Sequence, residues 1–207
     1  MVRWLLLGFS TLIAHLHVVS VDFVVLIPSY NNEKYCAQNL VSVLNQNYQR
    51  FRVIYVDDAS TDLTNRKVKE IIGRHPRGNR VKLIRNDNNL GALANIYYSV
   101  HKYTKDDEVI VLVDGDDSLA HPNVLSRLAQ EYSKNVYWVT YGQFKNKIAG
   151  DKGWAADIPR DIVRNKKLRS FPHVPTHLRT FKSWLFKKIK KEITKKNKIY
   201  ITRGVRG

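Results

Sequence analysis

The chain has 207 residues, is 43% apolar and 11% aromatic, and carries a formal net charge of +17. That size and apolar share suit one globular domain with a real core plus a tail, and exclude a disordered polyelectrolyte. A single cysteine, Cys36, excludes an internal disulfide, and the basicity is local: residues 1–144 hold 16 Lys+Arg against 14 Asp+Glu, residues 145–207 hold 19 against 4. The charge therefore does not argue for nucleic acid along the domain, and no nucleic-acid partner is expected.

In chain order, residues 1–20 (MVRWLLLGFSTLIAHLHVVS) come first. One early Arg, an apolar stretch and a small-residue end predict a signal peptide or N-terminal membrane anchor. The stretch is short and broken by His15 and His17 for a plain spanning helix, which needs about 20 apolar residues. An extra apolar helix packed on the domain is the alternative.

From residue 21 two kinds of segment alternate. FVVLI (23–27), RVIYV (52–56), VKLI (81–84) and EVIVLV (108–113) are short, β-branched and almost wholly apolar, as strands buried on both faces are. Between them Leu40, Val43, Leu44 and Asn47, then Val68, Ile71 and Ile72, then Leu93, Ile96, Tyr97 and Val100 follow helical spacing. Asn31 or Asn32, Ser60 or Thr61, and Asn88 or Asn89 are the expected caps. HPNVLSRLAQEY predicts a fourth helix and VYWVTY (136–141) a fifth strand. The pattern is α/β: a mostly parallel, Rossmann-like sheet with helices on both faces, over residues 21–145.

Each strand of such a sheet ends in polar residues: Pro28-Ser29-Tyr30, Asp57-Asp58, Asn86-Asp87 and Asp114-Gly115-Asp116-Asp117. In these folds ligands bind at the carboxyl ends of the strands. Three carboxylates within four residues suit a hard divalent cation such as Mg²⁺ or Mn²⁺, with a second carboxylate free for a ribose hydroxyl. An acidic turn that favours the next helix N-terminus is the other reading of the same residues.

Four ordered segments, VVLIPSYNNEKYCAQNLVSVLNQNY, VIYVDDASTDLT, NLGALANI and VIVLVDGDDSLAHPNVL, resemble the family 2 glycosyltransferases over residues 22–145. The resemblance implies a GT-A fold and a metal-dependent, inverting transfer from a nucleoside-diphosphate sugar to an acceptor hydroxyl on a glycan, lipid or protein. It implies that Pro28, Ser29, Tyr30 and Glu33 cradle base and ribose. It implies that Asp57 and Asp58 contact the base, with Ser60 and Asp62 supporting the turn. By the same resemblance Asp114 is expected near ribose and diphosphate, Asp116 is expected to bind Mn²⁺ or Mg²⁺, and Asp117 matches the extra acid beside it. Asp114 and His177 are further metal candidates, and His173 and Arg179 share the His177 segment.

Residues 146–207 form a short, basic, acceptor-side segment and tail. An inverting transferase needs a general base, and Glu192, Asp157 and Asp161 are the acids available for it; none is singled out by its surroundings. The acceptor half is expected to be truncated, which leaves a nucleotide-sugar-binding protein without turnover as the alternative function. Phe181, Leu185, Ile189 and Ile193 recur every four residues among lysines, which predicts a basic amphipathic helix over 178–194. It would pack on the domain, with its lysines available to an anionic membrane surface; an adaptor acting through this tail is a third reading. Location is expected to be membrane-associated or secretory-pathway, with cytoplasmic as the alternative. Cys36 is expected to be a packed core residue.

Overall fold

The computed structural model describes residues 20–146, 150, 158–167, 171, 176–193 and 199–201. The expected targeting segment up to residue 19, Asp157 and His173 lie outside the described residues, as does the side chain of Glu192. The order is β1 (Phe23–Ser29), α1 (Cys36–Leu44), β2 (Phe51–Asp57), α2 (Thr64–Arg74), β3 (Val81–Arg85), α3 (Ala92–Tyr103), β4 (Val109–Leu112), α4 (Val124–Tyr132) and β5 (Val139–Gly142). Then follow α5 (Arg160–Arg164), β6 (Thr176–Lys182), α6 (Ser183–Lys187), β7 (Lys191–Ile193) and β8 (Ile199–Ile201).

Six strands form one sheet in the order β3-β2-β1-β4-β6-β5; β7 and β8 pair separately. β1 is parallel to β2 and β4, and β2 to β3, whereas β6 runs antiparallel to both β4 and β5. The continuous apolar runs have the expected cause, because alternate residues of each central strand enter different cores. Phe23, Val25, Ile27, Val53, Tyr55 and Val111 pack with Leu40 and Val43 of α1, Val68 of α2 and Leu125 of α4. Val24, Leu26, Ile54, Val56, Ile110 and Leu112 pack with Val100 of α3, joined by Phe181 and Phe186. Each fully buried Val, Leu or Ile contributes about 1.5–3 kcal/mol, so these central strands dominate the stability. Cys36 is buried in the first core.

Two expectations fail. The helices α1, α2 and α3 begin after Tyr35, Leu63 and Gly91 with no side-chain cap from those residues. Asn31, Ser60 and Thr61, expected to cap α1 and α2, tie the preceding loops to each other instead: Asn31 N donates to Ser60 Oγ at 3.0 Å, and Thr61 N donates to Asn31 Oδ1 at 2.9 Å. Among the described residues the basic helix expected over 178–194 is also absent. Residues 176–182 are strand β6 and 183–187 a single helical turn.

The reason is tertiary. Period-2 alternation suits the slot beside β4, with Leu178 packing into one core and Phe181 into the other. Thr180 is wholly buried, and its Oγ1 pairs with Tyr132 Oη at 2.7 Å and Thr140 Oγ1 at 2.6 Å. Six to seven residues of strand satisfy more backbone and apolar surface there than an exposed helix would.

Candidate active site

β1 sits between β2 and β4, so connections leave it in opposite directions and a crevice opens where its carboxyl end meets that of β4. An open cleft of about 540 Å³ occupies this place, lined among others by Pro28, Tyr30, Ile96, Asp114, Asp116 and Arg179. Ser29, Asp57 and Arg85 are in register across β1, β2 and β3, so the polar strand ends do lie along one edge.

The antiparallel strand completes the site. Leu112 of β4 pairs with Arg179 of β6, so two residues further Asp114 comes opposite His177. His177 Nε2 lies 2.8 Å from Asp114 Oδ2 and 3.7 Å from Asp117 Oδ2. Arg179 donates to Asp114 Oδ2 at 3.3 Å. One ligand atom each from Asp114, Asp117 and His177 fall within 4.8 Å of one another. Asp116 is not in this cluster; it lines the cleft beside it. Partial burial pushes the Asp117 carboxyl above its ordinary value; the neighbouring His177 offsets part of this, while Asp116 and Asp114 add to it.

The turn itself is tightly held. A Cβ on Gly115 would lie 2.5 Å from Asn32 Nδ2 and 2.7 Å from Ser29 Oγ, so only glycine lets the acidic turn approach the end of β1. From the other side Asn39 Nδ2 donates to both Asp114 O and Asp117 O at 2.9 Å. Asn39 was not among the residues expected from sequence. Its signal was a polar side chain on the Cys36–Leu40–Val43 stripe that α1 buries.

The other residues expected at the donor are held by hydrogen bonds of their own. Ser29 is buried and accepts from Tyr55 Oη at 2.9 Å and Asn32 Nδ2 at 3.1 Å. Asp57, wholly buried, accepts from Ser60 N at 3.1 Å and Asn65 Nδ2 at 2.8 Å. Asp58 is buried as well: Oδ1 accepts from Asn86 Nδ2 at 2.7 Å and Leu90 N at 2.9 Å, and Oδ2 from Gly91 N at 2.8 Å. Burial pushes the Asp58 carboxyl upward, but the hydrogen bonds from Leu90, Asn86 and Gly91 outweigh it and hold the group below its ordinary value. Glu33 Oε2 accepts from Leu63 N at 3.0 Å, and Asp62 Oδ1 accepts from Thr64 N at 2.9 Å, so both carboxylates serve the start of α2. Pro28 and Tyr30 face the cleft, Tyr30 being about half exposed. Asp161 sits exposed on α5.

Known proteins carry the same architecture. The S. aureus TarS fragment 1–349 in complex with UDP-GlcNAc superposes with a TM-score of 0.61 at 20% identity, over 81% of this chain and 47% of that one. The mannosyltransferase PcManGT of Pyrobaculum calidifontis, in complex with GDP-Man and Mn²⁺, gives 0.62 at 19% identity, over 82% and 46%. At such identities the likeness establishes the shared GT-A fold. In sequence, the chain is 29% identical over 150 residues to the Escherichia coli UDP-Glc:alpha-D-GlcNAc-diphosphoundecaprenol beta-1,3-glucosyltransferase WfgD, covering 70% of this chain and 54% of that protein. The chain spans 26% to 54% of the length of the curated relatives it matches. The profile of glycosyl transferase family 2 matches residues 24–193, and the chain belongs to that family.

Proposed function

We propose that the chain binds a nucleoside-diphosphate sugar in the cleft between β1 and β4 and transfers its sugar, with inversion, to an acceptor hydroxyl on a glycan, lipid or protein. The convergence of Asp114, Asp117 and His177 within 4.8 Å beside that cleft carries this reading. Two carboxylates and an imidazole form a donor set that fits Mn²⁺ or Mg²⁺. A cation held by Asp114, Asp117 and His177 would supply Lewis-acid stabilisation of the departing diphosphate.

The remaining chemistry belongs to the chain. Arg179, lining the cleft, supplies a fixed positive charge for the diphosphate, and Asp114 fixes its direction by accepting from it. Pro28 and Tyr30 offer apolar surface to the nucleoside. Ser29, Glu33, Asp57 and Asp58 act behind that surface, holding the loops that shape it. Asp116 lines the cleft next to the group of Asp114, Asp117 and His177 and is available to the donor. Inversion needs one group to take the acceptor proton; we assign no residue to that role. UDP-GlcNAc in TarS, GDP-Man with Mn²⁺ in PcManGT and the UDP-Glc of WfgD support a nucleotide-sugar donor without choosing the base. We place the protein at a membrane through residues 1–20; among the described residues no helix is long and apolar enough to cross one.

The test is calorimetric titration of the full chain with UDP and GDP, with and without Mn²⁺, alongside His177→Ala. Binding of one nucleotide that depends on Mn²⁺, and is weakened about tenfold or more in the variant, is expected. Equal binding without metal, or none by the folded chain, overturns the reading. Binding without sugar transfer to any acceptor would make the chain a donor-binding protein.

A further inference from the structure

We infer that Asn39 is the positioning residue of the acidic turn, setting the spacing of Asp114 and Asp117 for a divalent cation; the inference rests on the cation site proposed above. Asn39 is wholly buried in α1. Its single NH₂ group donates to Asp114 O and to Asp117 O, both at 2.9 Å. A neutral amide is the side-chain group that offers two donors from one nitrogen without adding charge beside the carboxylates. It thereby ties the first residue of the turn to the fourth, alongside the Asp117 N–H that donates to Asp114 O at 3.0 Å. With Gly115 seated against Ser29 and Asn32 on the other side, the turn is clamped from two directions. The side chains of Asp114 and Asp117 leave it together, toward His177.

Two features separate Asn39 from a packing residue. It interrupts the buried stripe of Cys36, Leu40 and Val43, where an apolar side chain would pack without penalty. Its Oδ1 has no hydrogen-bond partner among the described residues. A buried acceptor left unpaired is costly, so what its two donors do has to outweigh that cost. Gln46, two turns along the same helix face and just past its end, is an internal comparison. It is 1% exposed, donates to His121 O at 2.9 Å and accepts from Leu125 N at 3.0 Å. It ties down the same loop, but beyond the acidic turn.

Mn²⁺ affinity and thermal midpoint of the full chain, measured for Asn39→Ala, Asn39→Asp, Asn39→Ser and Gln46→Ala, test this. Asn39→Ala should raise the Mn²⁺ Kd about tenfold or more, as loss of a group that orients ligands does. Gln46→Ala, with an equal or larger drop in midpoint, should stay within about twofold of the wild type, because its bonds lie outside the shell that orients the ligands. Asn39→Asp adds a negative charge that alone would tighten cation binding but cannot donate to both carbonyls. Weaker binding in that variant assigns the effect to the hydrogen bonds. Should Asn39→Ala fail to fold, Asn39→Ser, which keeps one donor, is expected to fall between wild type and Asn39→Asp. Asn39 variants within twofold of wild type, or Gln46→Ala matching their loss, overturn the inference alone. A wild-type chain that does not bind Mn²⁺ overturns the cation site and this inference together.

Discussion

Asp58→Asn separates a carboxylate that builds the loop from one that merely lines a surface. The wild-type group receives Asn86 Nδ2, Leu90 N and Gly91 N at 2.7–2.9 Å and is 2% exposed. Asparagine keeps the shape but replaces one acceptor oxygen with a donor, so one N–H must face another whichever way the amide turns. A hydrogen bond to a charged group contributes about 1.5–3 kcal/mol. Leu90 is half exposed, so water can relieve part of the loss, and a destabilisation of about 2–3 kcal/mol is expected. For a chain of this size that lowers the midpoint by about 4–12 °C.

The pH dependence supplies the sharper check. The folded carboxyl lies below its ordinary value of 3.8, so its contribution is fully present above that value and disappears as pH falls through the folded one. Urea unfolding of wild type and variant should therefore differ by a constant amount from about pH 5 to 8, and the gap should narrow below about pH 4. A loss under about 0.5 kcal/mol, the scatter of ordinary surface substitutions, or a gap that widens on acidification, would refute the clamp.

Gly115→Ala places a Cβ 2.5–2.8 Å from Asn32 and Ser29, and overpacking of this kind costs about 1–3 kcal/mol. Because the turn must back away from β1, Mn²⁺-dependent nucleotide binding should fall along with the midpoint in thermal and calorimetric assays. Thr180→Val tests the placement of β6: it removes the hydroxyl shared by Tyr132 and Thr140. A loss of about 1–3 kcal/mol in denaturant unfolding is expected for the buried Tyr132 hydroxyl left with one fewer partner; a neutral result would place residue 180 elsewhere.

The strand cores, the helix faces and the edge at which the polar clusters meet were legible in the residues, because apolar periodicity reports which faces are buried. FVVLI and VIVLV read as two-sided strands for a local reason: every residue in them is apolar. Caps were misread because the side chains of Asn31, Asn32, Ser60 and Thr61 had two sets of partners to choose from. Local pattern names the nearer set, a helix N-terminus, while the folded loops present each other.

The acids of the candidate site were likewise visible, since Asp114, Asp116 and Asp117 adjoin one apolar run. What they do is another matter. Asp57, Asp58 and Glu33 carry the same charge in the sequence as the cleft acids, and only the tertiary structure shows them accepting from backbone and amide donors.

By itself, then, the sequence determined the α/β class, the order of the first four strands and the acidic turn at the end of the fourth, because each depends on neighbours along the chain. The tertiary structure decided that residues 176–182 form a strand rather than part of a helix, that this strand runs against β4, and that His177 consequently meets Asp114 at a separation of 63 positions. It also decided that Asn39 faces the turn. Pairing register and direction are properties of two segments at once, and a lone segment with fourfold spacing cannot express them.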